Sequence, residues 1–290
     1  MTQSRIECFN DCAFKYYCRY VLSLDEGSKA VINPSDAGNF VHGVLEKFMR
    51  EAAEDDVYPI EDSVIKSRSE RLVREYIADV CPEGMPKRVE YLFSRLARSV
   101  EMNARELSEE FAHSRFRPRG FELKVGSEEL PSYPIPVTDG CFMSVSGVVD
   151  RVDTYKDGDT VYLRVADYKT GAKSFRLSDV TEGKNVQLLL YLLSLCACPD
   201  DCGFRKKIAP DGERLAPAGA MYFSSLPTAA GADKPSCTPE AIEAFASVSR
   251  SGIFLNDINI MKAMDDELSG RFLPVRFVKK YGEYRITGSS

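Results

Sequence analysis

An apolar, β-branched run from Thr160 to Lys169 restricts the possible folds more than any other part of this chain. Its composition predicts a strand buried at the centre of a sheet. Asp157-Gly158, directly before it, predicts a hairpin turn, and residues 142–153 predict the antiparallel partner strand. The chain is therefore expected to contain a sheet whose central hairpin carries charged side chains in apolar surroundings.

Helical and strand-like periodicities follow one another around this hairpin. Helices are predicted over residues 4–24, 61–80, 86–115, 184–196, 239–250 and 257–268. A further helix is predicted to start in the segment 35–49. Strands are predicted over 121–126, 142–153, 160–169 and 218–223, followed by a strand-like end. The predicted fold class is α/β (α+β): a central mixed β-sheet flanked by helices, with a helical N-terminal portion.

The chain length of 290 residues allows one large domain or two small ones. The best internal boundary lies near residue 117, where helices give way to strands. We expect residues 1–117, a mainly helical part carrying His42, and residues 118–290, an α/β catalytic core, to form a single domain, 1–290.

Composition limits the possible partners and locations. The net charge of −6 argues against binding nucleic acid by bulk charge alone, although metal-binding carboxylates themselves lower the net charge of an enzyme. The absence of a run of about 18 apolar residues predicts no membrane partner. Residues 1–7 do not begin a signal peptide, and nine irregularly spaced cysteines favour thiols or cluster ligands over disulfides. We expect an intracellular, cytoplasmic protein.

The central hairpin carries residues that suit metal chemistry. Asp167 and Lys169 are two apart on a strand, so their side chains project from one face. Asp150 is expected beside Asp167 on the neighbouring strand. Two adjacent carboxylates repel each other unless a divalent cation lies between them. The alternative is an ordinary ion pair at a sheet edge, because Asp-x-Lys alone is a weak signal.

Oxygen ligands favour Mg²⁺ or Mn²⁺, and the backbone carbonyl of Tyr168 could be one of them. Gly38, His42 and Glu46 recur every four residues on one helix face, so His42 could add a nitrogen ligand, unless it is an ordinary surface or core histidine. Lys169 would orient the attacking water, lower its pKa or stabilise a pentacovalent phosphorane.

Gln187 and Tyr191 lie one turn apart on the next predicted helix. Both could contact the scissile phosphate or the site lysine.

Four motifs carry a resemblance to a known family: Gly38-x3-His42-x3-Glu46, Gly147-x2-Asp150-Arg151, Asp167-Tyr168-Lys169-Thr170-Gly171 and Gln187-x3-Tyr191. In this order they resemble the motifs of the PD-(D/E)XK nuclease superfamily, within it the RecB-like exonuclease branch. The resemblance implies a restriction-endonuclease-like core. It also implies metal ligands at His42, Asp150 and Asp167, a catalytic lysine at Lys169, and supporting roles for Gln187 and Tyr191.

Residues 4–17 are similar to the start of the nuclease domain in the B subunit of AddAB helicase–nucleases. That resemblance implies that Cys12 is the first ligand of a four-cysteine 4Fe–4S cluster, although Ala13 stands where the family has proline. Residues 238–290 contain no cysteine, so the cluster would be incomplete here. We therefore expect a domain excised from a longer protein, or a variant that lost the cluster. Cys196, Cys198 and Cys202 lack a suitably spaced fourth ligand, which disfavours a metal site there.

The resemblance implies a metal-dependent DNA exonuclease in double-strand-break repair or recombination, acting on a single strand threaded to the site, with a helicase partner subunit. The alternatives are a non-catalytic DNA-binding scaffold of the same fold and a stand-alone exonuclease of the CRISPR-associated type. The basic cluster at His113, Arg115, Arg117 and Arg119 is interpreted as a solvated helix end, with contact to a DNA backbone as the alternative.

Overall fold

A computed structural model of the chain describes residues 2–24, 34–80, 87–169, 174–224, 250–280 and 283–288. The N-terminal segment forms two short helices, Gln3–Asp11 (α1) and Ala13–Tyr16 (α2), and a π-helical turn, Tyr17–Val21. The single helix predicted over residues 4–24 was therefore wrong at Cys12. The backbone of Cys12 is extended, with φ −162° and ψ 107°, because its sulfur accepts a hydrogen bond from the Lys15 amide and caps α2.

Three long helices form the rest of the N-terminal part: Pro34–Asp55 (α3), Asp62–Val80 (α4) and Lys87–Ala112 (α5). All three were predicted, and each begins or ends within a few residues of the expected position. Their buried apolar residues pack against one another and against the sheet, through a cluster that includes Ala166, Tyr168, Met221 and Phe223.

The main sheet has five strands: Arg117–Val125 (β1), Gly147–Asp157 (β4), Thr160–Lys169 (β5), Arg214–Ser224 (β6) and Arg250–Phe254 (β7). They lie in that spatial order. Only the β5–β6 pairing is parallel, so the sheet is mixed. The predicted hairpin is confirmed, because β4 and β5 pair antiparallel from Asp157–Thr160 onwards.

A small two-stranded ribbon, Pro134–Thr138 (β2) and Cys141–Ser144 (β3), stands apart from the main sheet. The strand predicted over residues 142–153 was therefore wrong in extent, since β3 and β4 are separate strands. Pro134 and Pro136 predict turns, yet they lie in β2. An exposed two-stranded ribbon leaves one edge unpaired, where proline costs no ladder hydrogen bond.

Further elements complete the described chain: Leu177–Thr181 (α6), Gln187–Cys196 (α7), Gly203–Ile208 (α8), Ile258–Met264 (α9), Val275–Lys280 (β8) and Glu283–Gly288 (β9). The predicted helix 239–250 lies outside the described residues except for Arg250, which begins β7. Residues of α7 and α8 pack on the sheet against a second cluster that contains Val152, Leu163, Val165 and Tyr222.

Helical layers therefore cover the sheet through two separate apolar clusters, which confirms the predicted fold class. Successive side chains of a strand point to opposite faces. Tyr168 consequently packs beneath α3–α5, whereas Asp167 and Lys169 project from the other face. In the part of the chain that the structure describes, no helix is both long and apolar enough to span a bilayer.

Candidate metal centre

Three carboxylates lie at one level across three neighbouring strands. The β4–β5 register ends at Arg151–Ala166, so Asp150 and Asp167 occupy the next position along the two strands. On β1, the pairs Phe121–Arg151 and Leu123–Val149 place Glu122 opposite Asp150. The spatial order of the site is therefore Glu122, Asp150, Asp167. Sequence reasoning placed the two aspartates together but missed Glu122.

His42 reaches the same place from α3. Its Nδ1 lies 3.3 Å from Asp150 Oδ2. Burial lowers the pKa of His42, an effect that Asp167 partly opposes. The neutral ring is the form that binds a metal ion. One potential ligand atom each from His42, Glu122 and Asp150 lies within 4.8 Å of the others, which makes this trio a candidate cation site.

The charge state of the trio shows why a cation fits it. Burial raises the pKa of Asp150 well above its usual range, and the neighbouring Asp167 and Glu122 raise it further. Glu122 is exposed, but partial burial still raises its pKa, with added repulsion from Glu46 and Asp167. A divalent cation would relieve this repulsion, and two carboxylates with one imidazole form a donor set for Mg²⁺ or Mn²⁺.

Asp167 faces Lys169 within the described site. Lys169 Nζ lies 2.5 Å from Asp167 Oδ2, and this carboxylate is not a member of the ligand trio. The lysine also lies 5.8 Å from the centre of the Tyr222 ring. The predicted set of His42, Asp150 and Asp167 and the observed trio therefore share two residues, and Asp167 stays a predicted ligand.

Tyr168 contributes through its backbone. Its amide donates to Asp150 Oδ2 at 2.7 Å. A backbone hydrogen bond to Tyr168 favours the protonated His42 ring. The carbonyl of Tyr168 stays a predicted metal ligand.

Gln187 and Tyr191 lie on α7, against the beginning of β4. Gln187 Nε2 donates to the Tyr191 hydroxyl at 3.3 Å, and this hydroxyl also bonds to the backbone of Val148. A Cβ added to Gly147 would lie 1.9 Å from the same hydroxyl. The glycine of the Gly-x2-Asp motif therefore makes room for the tyrosine of the Gln-x3-Tyr motif.

Comparison with known proteins now identifies the family. A family model described as "PD-(D/E)XK nuclease superfamily" matches residues 1–258. This chain belongs to the PD-(D/E)XK nuclease superfamily. The predicted restriction-endonuclease-like core is thereby confirmed.

Curated relatives of this superfamily member are named as the B subunit of an ATP-dependent helicase/deoxyribonuclease. The protein of Clostridium acetobutylicum is 30% identical over 286 residues, which cover 93% of this chain and 23% of that protein. The protein of Desulforudis audaxviator is 30% identical over 279 residues, covering 91% and 23%. The chain spans about a quarter of the length of these relatives. The resemblance to the B subunit of AddAB-type enzymes is confirmed.

The cysteines of this nuclease-superfamily chain form no comparable site in its described part, where the one candidate group of ligands is His42, Glu122 and Asp150. Cys12 is exposed. Cys198 and Cys202 are buried, and burial raises the pKa of Cys198 to about 12. Burial therefore favours the neutral thiol of Cys198.

The basic cluster after α5 makes contacts within the chain. His113 Nδ1 lies 2.9 Å from Asp266 Oδ1, and Arg117 Nε lies 3.0 Å from Asp56 Oδ1. Arg115 lies over the Tyr155 ring, 4.8 Å from its centre. These contacts favour the interpretation of the cluster as an ordinary helix end over contact with a DNA backbone.

Proposed function

We propose that residues 1–290 form one nuclease domain, a Mg²⁺- or Mn²⁺-dependent exonuclease that hydrolyses DNA phosphodiesters. The observation that supports this most is the convergence of His42, Glu122 and Asp150 within 4.8 Å, beside the Asp167–Lys169 pair. A retained scaffold has no need of close carboxylates, because their repulsion costs free energy that a bound cation recovers.

The proposed ligands are His42, Glu122, Asp150 and Asp167, with the backbone carbonyl of Tyr168. When bound, the cation would polarise the scissile phosphate and activate a water for attack. The chain's own groups hold these ligands in place, since the Tyr168 amide orients the carboxylate of Asp150.

Lys169 is the proposed catalytic lysine. Its ammonium group is held beside Asp167, so it can orient the attacking water and stabilise negative charge on the phosphoryl oxygens. Gln187 and Tyr191 are proposed as supporting residues. Their hydrogen bond holds two polar groups against the start of β4, three residues before Asp150.

The partners follow from the relatives' name. We propose a DNA substrate, with a single strand threaded to the site, and a helicase partner subunit, together with the rest of a longer parent chain in the cytoplasm. Double-strand-break repair or recombination is the proposed process. Cys12 is exposed and free to serve as the first ligand of a 4Fe–4S cluster in such a parent.

Cleavage of end-labelled linear DNA in Mg²⁺ or Mn²⁺ tests the proposal. We expect Asp167→Asn and Lys169→Met each to reduce the rate by about 10²- to 10³-fold, the loss seen when one group that stabilises the transition state is removed. Asp157→Asn, in the exposed hairpin turn of the same two strands, is the matched control and should cut like the wild type.

Three results would change the proposal. Equal cleavage by wild type, Asp167→Asn and Lys169→Met would refute the assigned chemistry. DNA binding without any cleavage by the wild type would favour the scaffold alternative. In a separate assay, a circular single strand cut as fast as a linear one would refute exonuclease action.

A further inference from the structure

The backbone pairing of β4 with β5 ends one residue before the site. The last paired residues are Arg151 and Ala166, and Asp150 and Asp167 lie beyond them. At this level each strand continues to pair with its other neighbour: β4 with β1 as far as Gly147, and β5 with β6 as far as Lys169. Side chains must therefore set the spacing between the two aspartates.

Tyr168 spans this gap with both of its ends. Its amide donates to Asp150 Oδ2 at 2.7 Å, and its hydroxyl accepts from Arg151 Nη1 at 2.8 Å. Arg151 follows Asp150 in sequence, and Tyr168 follows Asp167. Alternation along the strands therefore places the Arg151–Tyr168 bond directly behind the two carboxylates, on the opposite face of the sheet.

Arg151 is itself held on several sides. Its Nε lies 2.9 Å from Asp153 Oδ1, and its Nη2 lies 3.6 Å from Glu110 Oε1. Glu110 in turn lies 2.8 Å from Arg164 Nη2. These four side chains are fully buried. A planar guanidinium fixed in this way directs its Nη1 towards the Tyr168 hydroxyl.

We propose that Arg151 and Tyr168 are positioning residues of the metal centre, whose buried hydrogen bond sets the spacing of Asp150 and Asp167. This inference rests on the proposed function of the site. The Tyr168 ring also packs edge-on against the His42 ring, with 5.9 Å between their centres, so the pair holds the groups that carry the proposed ligands. Residues that do not bind the metal but orient its ligands usually affect metal affinity strongly.

Calorimetric titration with Mn²⁺ tests the inference on the 290-residue chain. Tyr168→Phe removes one hydroxyl and keeps the ring, which packs 5.4 Å from Phe223. We expect Mn²⁺ to bind about 10- to 100-fold more weakly, as for other outer-group substitutions. The Mn²⁺ concentration for half-maximal cleavage should rise in parallel, with the maximal rate largely recovered at high Mn²⁺. Tyr162→Phe, also on β5 but at its distant end, should bind like the wild type.

Arg151→Lys keeps the positive charge but lacks the planar set of donors of the guanidinium, so it should weaken Mn²⁺ binding to a similar degree. The double variant with Tyr168→Phe should bind Mn²⁺ no more weakly than Arg151→Lys alone, because Arg151→Lys already removes the bond to Tyr168. If Arg151→Lys does not fold, Tyr168→Phe alone decides.

The outcomes separate two failures. Wild-type affinity in Tyr168→Phe, even with a lowered unfolding temperature, would overturn this inference and leave the proposed function standing. A wild-type chain that neither binds Mn²⁺ nor cleaves DNA would overturn the proposed function and the inference with it.

Discussion

Gly147 lies so close to Tyr191 that even the methyl group of an alanine would clash with the tyrosine ring and hydroxyl. A Cβ at this position would meet the Tyr191 hydroxyl at 1.9 Å and its ring carbon Cζ at 2.8 Å. The hydroxyl is held by Gln187 and by the Val148 backbone, so the phenol resists displacement. The glycine is required here for space, since no positive φ is involved.

Gly147→Ala should therefore destabilise the fold by about 1–3 kcal/mol, the usual cost of overpacking. Urea unfolding measures this. Gly203→Ala is the control, because its Cβ would meet Glu129 at 3.5 Å, an ordinary contact. Adding Tyr191→Phe removes the closest contact, so the double variant should lose less than the sum of the single changes. Equal unfolding midpoints for Gly147→Ala and the wild type would show that α7 shifts freely.

Single residues of the site were predictable where chemistry follows from spacing. Asp167 and Lys169 share a strand face, and His42 lies on a recurring helix face, so sequence alone could name them. Glu122 could not be named, because its place depends on the β1–β4 register and on a left-handed backbone, with φ +48°. Arg164 offered a signal that was missed: an arginine inside an apolar strand needs a buried partner.

Glu110 links a helix to three strands. It lies on α5, and its carboxylate contacts Arg164 of β5 at 2.8 Å, Arg250 of β7 at 3.1 Å and Arg151 of β4 at 3.6 Å. Burial alone would raise the pKa of Glu110, but the three arginines outweigh it and hold the pKa below its usual value. This carboxylate is therefore ionised in the folded protein.

Glu110→Gln should destabilise the fold at pH 7 by about 3–5 kcal/mol, the cost of breaking a buried ion pair. Because the folded pKa is lowered, the stabilisation by ionised Glu110 is fully present above the unfolded pKa of about 4.3 and is lost as the pH falls through the folded value. The stability gap to wild type should thus be constant above about pH 5 and should narrow below about pH 4.

Urea unfolding across this pH range measures the gap. Glu109→Gln, the preceding and less buried residue of α5, is the control and should track the wild type. A stability difference between wild type and Glu110→Gln that stays constant below about pH 4 would contradict the assignment of an ionised Glu110.

Helices and strands were predictable where a periodic pattern is long or a turn is explicit. The Asp157–Gly158 hairpin and the long helices α4 and α5 were correct, because their patterns extend over many residues. Local chemistry changed the other elements. The Cys12 sulfur ends one helix and caps the next, and the prolines of β2 are tolerated on an unpaired edge. Such effects depend on individual contacts, which the periodicity of a sequence does not predict.

The whole molecule brings four elements to one place. His42 comes from α3, Glu122 from β1, Asp150 from β4 and Asp167 from β5. The helical N-terminal part thus supplies one proposed ligand and the sheet supplies the others, which supports treating the chain as one nuclease domain. The order of the motifs indicated this convergence, but the distances required the three-dimensional structure.

Crystals of the 290-residue chain soaked in Mn²⁺ test the central claim most directly. An anomalous difference map locates the ion without assuming its ligands. We predict a peak within coordination distance of His42 Nδ1 or Nε2 and of the Asp150 carboxylate. The remaining protein ligands should be Glu122 or Asp167 and the Tyr168 carbonyl. No peak at saturating Mn²⁺, or a peak that contacts neither His42 nor Asp150, would contradict it.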